Sequence, residues 1–185
     1  MIEPKDREMV RQQLEACLQL RFPDASVQIG EGIHYKGLNV VVTSNKFRGL
    51  LAEQRFHHVV RAIPKDVYEK HLQRGVVWFE LAPGEGGKDL MRMPRSTDIT
   101  AAEESAVRRI LKDTQFFKKL ASYFDSEDED PSGMTFETTR KLLSKAGIDD
   151  EQVERCLLYM IQKGAYCDAH IVNDLMPKLA SEHAA

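Results

Sequence analysis

The chain has 185 residues, of which 42% are hydrophobic and 30% are charged, and its formal net charge is −3. This length and apolar share suffice for one or two domains with real cores. The charge is unevenly divided: residues 1–95 hold 15 Lys and Arg against 12 Asp and Glu, whereas residues 96–185 hold 11 against 17. The first half therefore permits weak nucleic-acid contact without requiring it, and the acidic second half argues against such contact there.

Cysteine usage and the absence of targeting segments predict a cytoplasmic protein. Cys17, Cys156 and Cys167 have no paired spacing, which favours a reducing compartment. Charged residues follow Met1 at once, unlike a signal peptide. No apolar run approaches the ~20 residues that a membrane helix needs, so we expect no membrane partner.

The first half predicts the order helix, strand, strand, helix, helix, strand. The predicted elements, in chain order, are a helix from Lys5 to Leu20, strands around 27–29 and 38–43, a helix ending before Pro64, a short helix over 65–73 and a strand over 76–81. This order favours an α+β domain in which helices cover one face of a three-stranded sheet.

The second helix and the last strand each give a more specific expectation about which residues are exposed. The stripe of the second helix consists of Ala52, Phe56, Val59, Val60 and Ile63. His57 and His58 lie off this stripe and are expected at the surface. In the last strand, Trp78 is expected on the face opposite to its apolar neighbours, under the second domain or in an exposed contact patch.

This half resembles the BolA family in its order of elements and in several short sequences. The matching sequences are Val41-Val42-Thr43 at a strand end, Phe47-Arg48-Gly49, Gln54-Arg55 and Pro83 after the last strand. The resemblance covers about residues 5–85 and implies the topology of the KH-type RNA-binding fold. It also implies a monothiol glutaredoxin as protein partner and an iron–sulfur cluster shared with it.

The resemblance also implies candidate cluster ligands. The family places a His or Cys between its first two strands, where this chain has His34. It places a histidine near the start of the last strand, whereas this chain has Gly75-Val76-Val77 there and His71 on the preceding helix. Phe56 stands where the family usually has a histidine after the helix arginine. His34 is therefore the better-placed candidate and His71 a substitute.

The Gly-rich sequence Pro83-Gly84-Glu85-Gly86-Gly87 predicts a hinge between two domains. We assign residues 1–85 to the BolA-like domain, 86–96 to a linker and 97–185 to an acidic helical domain. In the helical domain, Thr100 and Glu103 form a capping-box pattern, and Asp149 precedes another apolar stripe as a cap. Gly147 and Gly164 mark helix ends.

The acidic segment 125–133 has two interpretations. Starting at Asp128, its carboxylates match part of a calcium loop, but Thr139 stands where the closing glutamate belongs and Pro131 stiffens the loop. The alternative is a solvated acidic linker between helices.

The segment 135–173 is similar to a small bacterial domain family of unknown function. That family ends in Gly-Gly-Tyr-Cys-Asp-Cys-Glu-x-x-x-Asn, and this chain matches it at Gly164, Tyr166, Cys167, Asp168 and Asn173. Independently of this similarity, Cys167 and His170 have the spacing of half a zinc site. Cys156 is the obvious third ligand, but it lies on an apolar stripe.

The sequence contains no catalytic constellation, so a non-enzymatic interaction or regulatory protein is the leading prediction. The first alternative is a transcriptional or RNA regulator that binds nucleic acid through the KH-like domain. A metal-dependent or thiol enzyme is the third.

Overall fold

The computed structural model describes residues 4–31, 37–72, 75–124 and 134–182. The chain divides into two compact units, Met1–Met93 and Pro94–Ala185. No helix within the described ranges is long and apolar enough to cross a bilayer. The predictions for His34 and for the acidic segment 125–133 fall outside the described residues.

The first unit is mixed α+β with a three-stranded sheet, as predicted. Its elements are α1 (Pro4–Gln19), β1 (Ser26–Glu31), β2 (Leu38–Thr43), α2 (Ala52–Ala62), α3 (Lys65–Val67, continuing as a π-helical turn over Tyr68–Leu72), β3 (Val76–Leu81) and α4 (Gly87–Arg92). Helix α4 lies in the segment 86–96 that we expected to be a linker. It contacts β3, so this part of the segment belongs to the packed unit.

The sheet has the order β1-β2-β3, with β1 and β2 antiparallel and β2 and β3 parallel. One sheet face is buried beneath helices, and apolar residues of β1, β2 and α1 fill this core: Val27, Val40, Val42, Val10, Leu14 and Leu18. The long crossover between the two parallel strands consists of α2 and α3, as a parallel connection requires.

Trp78 and Phe79 lie on opposite faces of β3, as predicted, but the face that carries Trp78 is the one covered by helices of its own unit. Trp78 pairs in register with Val40, which is 0% exposed, so Trp78 lies on the helix-covered face. Phe79 lies on the other face, where a Cβ at Gly87 would come within 3.2 Å of its ring. The glycine thus lets α4 approach β3 closely. The apolar run before Glu80 fits either face, which is why periodicity alone did not identify the covered face.

Helix α2 buries Ala52, Val59 and Ile63 of the predicted stripe but differs from the prediction at two other positions. His58 is 1% exposed and Arg55 is 1% exposed, whereas Phe56 is 43% exposed. The Arg21 Nη2 atom lies 3.3 Å from Nδ1 of His58. The apolar stripe predicts a surface position for His58, whereas here both His58 and Arg55 are buried with polar contacts.

The second unit is helical. Its elements are α5 (Ala101–Asp113), α6 (Phe116–Phe124), α7 (Glu137–Lys145), α8 (Asp150–Gln162), α9 (Asp168–His170, continuing as a π-helical turn over Ile171–Leu175) and α10 (Met176–Glu182). Its core is built around α8, where every residue from Cys156 to Ile161 is buried.

The predicted helix ends of this unit are confirmed. The Glu103 backbone N–H donates to Thr100 Oγ1 at 3.3 Å, and the Thr100 N–H donates to Glu103 Oε2 at 2.8 Å. Asp149 Oδ1 accepts from the Gln152 N–H at 2.8 Å. Gly147 has a φ of 81°, and the next N–H reaches back to the Leu143 carbonyl at 3.2 Å, which is a Schellman end.

Candidate functional site

Of the two predicted cluster ligands of the first unit, the structure describes His71, whereas His34 lies outside the described residues. His71 is half-buried in the π-helical turn that precedes β3. At the end of the sheet where β2 and β3 begin, which we call its edge, the Leu38 N–H donates to the Gly75 carbonyl at 2.7 Å. The two residues meet because β2 and β3 run parallel and begin side by side. The chain immediately after segment 32–36, which contains His34, therefore lies beside the chain just before β3.

The second predicted pair, Cys167 and His170, is involved in holding its own turn. Cys167 is buried, and the Tyr166 N–H donates to His170 Nδ1 at 3.3 Å. The third candidate, Cys156, is buried, and this burial raises the pKa of its thiol to about 12. The described residues contain no group of three or more His, Cys, Asp or Glu that could hold a metal ion.

Asp168 has a structural role that its sequence context did not reveal. Its carboxylate accepts from the backbone N–H groups of Thr138 at 2.8 Å and Thr139 at 3.1 Å, and from the Thr139 hydroxyl at 2.5 Å. Burial raises the pKa of Asp168, and these hydrogen bonds oppose the shift. Asp168 thus caps α7 from a distant part of the chain, and its oxygens are occupied by helix amides.

Arg55 is the corresponding polar anchor of the first unit. Its guanidinium donates to both carboxylate oxygens of Glu85, at 2.5 and 3.1 Å, and to the Leu50 and Glu80 carbonyls at 2.9 and 3.0 Å. The hydrogen bonds from Arg55 to Glu85, together with one from the Ala82 N–H, hold the pKa of Glu85 below its usual range. The arginine therefore ties α2 to the turn after β3, which explains its burial.

The second unit contains an open cavity of about 830 Å³. Five of its lining residues are apolar or aromatic, and they come from α5, α6, α8 and α10: Leu111, Phe117, Tyr159, Met176 and Leu179. The remaining lining residues are charged and lie on α5: Arg108, Arg109, Lys112 and Asp113. This volume lies in the range typical of small-molecule sites.

A cationic network surrounds Tyr159, one of the residues that line the cavity. Arg108 Cζ lies 5.9 Å and Lys163 Nζ lies 5.4 Å from the centroid of this buried ring. The Glu104 carboxylate accepts a hydrogen bond from Arg108 Nη2 at 2.8 Å and forms an ion pair with Lys163 Nζ at 3.1 Å. These contacts hold the pKa of Glu104 below its usual range. Arg109 and Lys112 are exposed and make no ion pair with the described residues.

In comparisons with protein-family models, curated proteins and solved structures, nothing matches this chain. The functional argument therefore depends on the chain's own residues.

No short sequence pattern predicts the cavity, because its lining comes from four helices. The roles of Arg55 and Asp168 were not predicted either. Their only sequence signal was membership in the matching segments Gln54-Arg55 and Tyr166-Cys167-Asp168.

Proposed function

We propose that this protein is a non-enzymatic interaction protein whose first unit contacts a partner at the edge of the sheet where β2 and β3 begin. The proposed partner is a monothiol glutaredoxin, and the proposed shared group is an iron–sulfur cluster. The proposal combines the BolA-like pattern of residues 5–85 with the geometry of this edge.

The hydrogen bond from the Leu38 N–H to the Gly75 carbonyl, at 2.7 Å, is the observation that supports it most directly. His34 stands four residues before Leu38, and His71 stands four residues before Gly75. A four-residue segment spans at most about 14 Å. Both candidate imidazoles thus belong to short segments that lead to one bonded pair of residues.

The chemistry of these side chains fits a shared cluster. Iron–sulfur clusters accept imidazole in place of thiolate, as Rieske centres show, and nitrogen ligation changes the reduction potential. Two histidines from this chain would complete a ligand set in which the partner supplies thiolates. Neither histidine alone would hold a cluster, so the proposal requires the partner protein.

The test is co-reconstitution of the full chain with a monothiol glutaredoxin, followed by size exclusion, iron determination and visible absorption and circular dichroism spectra. We expect a mixed complex whose spectrum differs from that of the all-thiolate glutaredoxin cluster. His34→Ala and His71→Ala should each move the spectrum toward the all-thiolate form. His170→Gln, in the second unit, is the matched control and should leave it unchanged.

Failure to form any complex would reject the glutaredoxin partnership. A complex whose spectrum is insensitive to both histidine variants would keep the partnership and reject these residues as ligands.

Nucleic-acid binding by the first unit is the alternative proposal, and the same protein preparation tests it. Binding that depends on phosphate contacts weakens steeply with salt. Submicromolar affinity for a defined oligonucleotide at physiological ionic strength would favour this alternative over the glutaredoxin.

A further inference from the structure

We infer that the cavity of the second unit is a binding site for an amphiphilic anion, a small molecule with an acyl-chain-like apolar body and a carboxylate or phosphate head. This site is independent of the proposed partner of the first unit. It follows from the volume of the cavity, the chemistry of its walls and the charge at its rim.

The walls of the cavity favour an apolar body. Leu111 and Tyr159 are buried, and Phe117, Met176 and Leu179 are half-buried, so five neighbouring side chains present hydrocarbon to one space. Methionine and leucine side chains adapt to flexible aliphatic ligands. A volume of about 830 Å³ exceeds what one or two waters need and suits a single-chain amphiphile.

The rim of the cavity favours a negatively charged head. The exposed charged residues that line the cavity, which we call its rim, are Arg108, Arg109, Lys112 and Asp113 in the described part of the chain. Arg108 is already bonded to Glu104, which leaves Arg109 and Lys112 as the groups that would meet an anion. These cations stand out because residues 96–185 are acidic as a whole, with 17 acidic against 11 basic residues. A local positive rim in an acidic unit is complementary to an anionic ligand.

The probe series is octanoate, decanoate and dodecanoate, each titrated calorimetrically into the full chain below its micelle concentration. Affinity should rise about two- to fourfold per added methylene while the chain fills the cavity. Dodecanol, which lacks the charge, should bind at least about fivefold more weakly than dodecanoate. Dodecyl phosphate distinguishes the head groups, and tighter binding of either head supports the site.

Variants locate the site. The double variant Arg109→Ala/Lys112→Ala should weaken dodecanoate about five- to tenfold and remove its advantage over dodecanol. Leu179→Trp, which fills the apolar space, should weaken both probes. Lys145→Ala removes an exposed lysine of α7 that does not line the cavity. This control variant should bind dodecanoate with the affinity of the wild type. Far-UV circular dichroism during thermal unfolding verifies that each variant is folded.

Three results would overturn the inference. The first is no binding of dodecanoate by the wild type. The second is equal binding of dodecanoate and dodecanol, since it would remove the role of the rim. The third is binding that the double variant and a folded Leu179→Trp both leave unchanged, since it would place the probe elsewhere on the chain.

Discussion

At the scale of single residues, buried charge at Arg55 organises the first unit. The guanidinium is 1% exposed and its nitrogens bond to one carboxylate and two carbonyls. A buried arginine is tolerated only when such contacts replace its hydration, because breaking one partner leaves an uncompensated charge. Glu85 is therefore the residue at which this arrangement can be tested without removing the arginine itself.

We predict that Glu85→Gln lowers the free energy of unfolding of the first unit by about 1–3 kcal/mol at pH 7. Because folding depresses the pKa of Glu85 below its ordinary 4.5, its contribution is present above that pH and is lost as the pH falls through the folded-state pKa. The difference between variant and wild type should thus shrink in acid. Urea unfolding at pH 7 and pH 3, followed by the fluorescence of the single tryptophan, measures it.

The matched control for Glu85 is Glu69→Gln. Its side chain is 54% exposed and lies 3.6 Å from Lys65, so its loss should cost under about 0.5 kcal/mol. Equal effects of the two variants, or a difference between Glu85→Gln and wild type that is as large at pH 3 as at pH 7, would contradict the assigned role.

Asp168 has the same kind of role in the second unit, where it caps α7 across the fold. Asp168→Ala leaves the Thr138 and Thr139 amides without their acceptor, and we expect a loss of about 2–3 kcal/mol. Far-UV circular dichroism in urea follows the helical unit. Asp174→Ala, an exposed carboxylate on the following turn, should change stability by less than about 0.5 kcal/mol and serves as control.

At the scale of elements, helix α2 buries the face that carries His58 and leaves Phe56 on an exposed face. His58→Ala should cost about 2 kcal/mol, because it empties a fully enclosed position and removes the contact with Arg21. Phe56→Ala, on the same helix, should cost less than about 1 kcal/mol, since the ring is 43% exposed and alanine favours helix. Tryptophan fluorescence in urea compares the pair, and a larger loss at Phe56 would show that the apolar stripe is the packed face.

Local chemistry accounts for what the sequence could predict. The caps at Thr100 and Asp149 and the glycine end at Gly147 involve residues within six positions of one another, so their patterns are visible in the chain. The buried face of α2 depends on partners 25 to 30 residues away, as for Arg55 with Glu80 and Glu85. Those partners decide whether the arginine is buried, and periodicity carries no information about them.

The candidate sites also depend on residues that are distant in the chain or on contacts that a spacing pattern does not show. The spacing of Cys167 and His170 suggested a metal half-site, but the turn uses His170 to accept the Tyr166 N–H. The cavity lining extends from Arg108 to Leu179 along the chain, over four helices. A site of this kind becomes visible only once the helices are packed.

At the scale of the whole molecule, each compact unit has its own core. Val40 and Val42 are 0% exposed in the first unit, and Leu120, Leu157 and Met160 are 0% exposed in the second. Units of about 90 residues with such cores reach unfolding free energies of about 5 kcal/mol or more. The division between Met93 and Pro94 therefore defines two fragments for expression.

We predict that fragments 1–93 and 94–185 each fold alone. The single tryptophan, Trp78, lies on the buried sheet face of the first unit, so its fluorescence reports that fragment specifically. Urea should unfold it in one cooperative transition with a slope of about 1 kcal/mol per molar urea. The second fragment should show a cooperative loss of helical circular dichroism.

Because α4 contacts β3, a fragment ending at residue 85 should be less stable than 1–93. Equal stability of those two fragments would return residues 86–93 to the status of a linker, and a non-cooperative transition in 1–93 would mean that its core is incomplete without the second half.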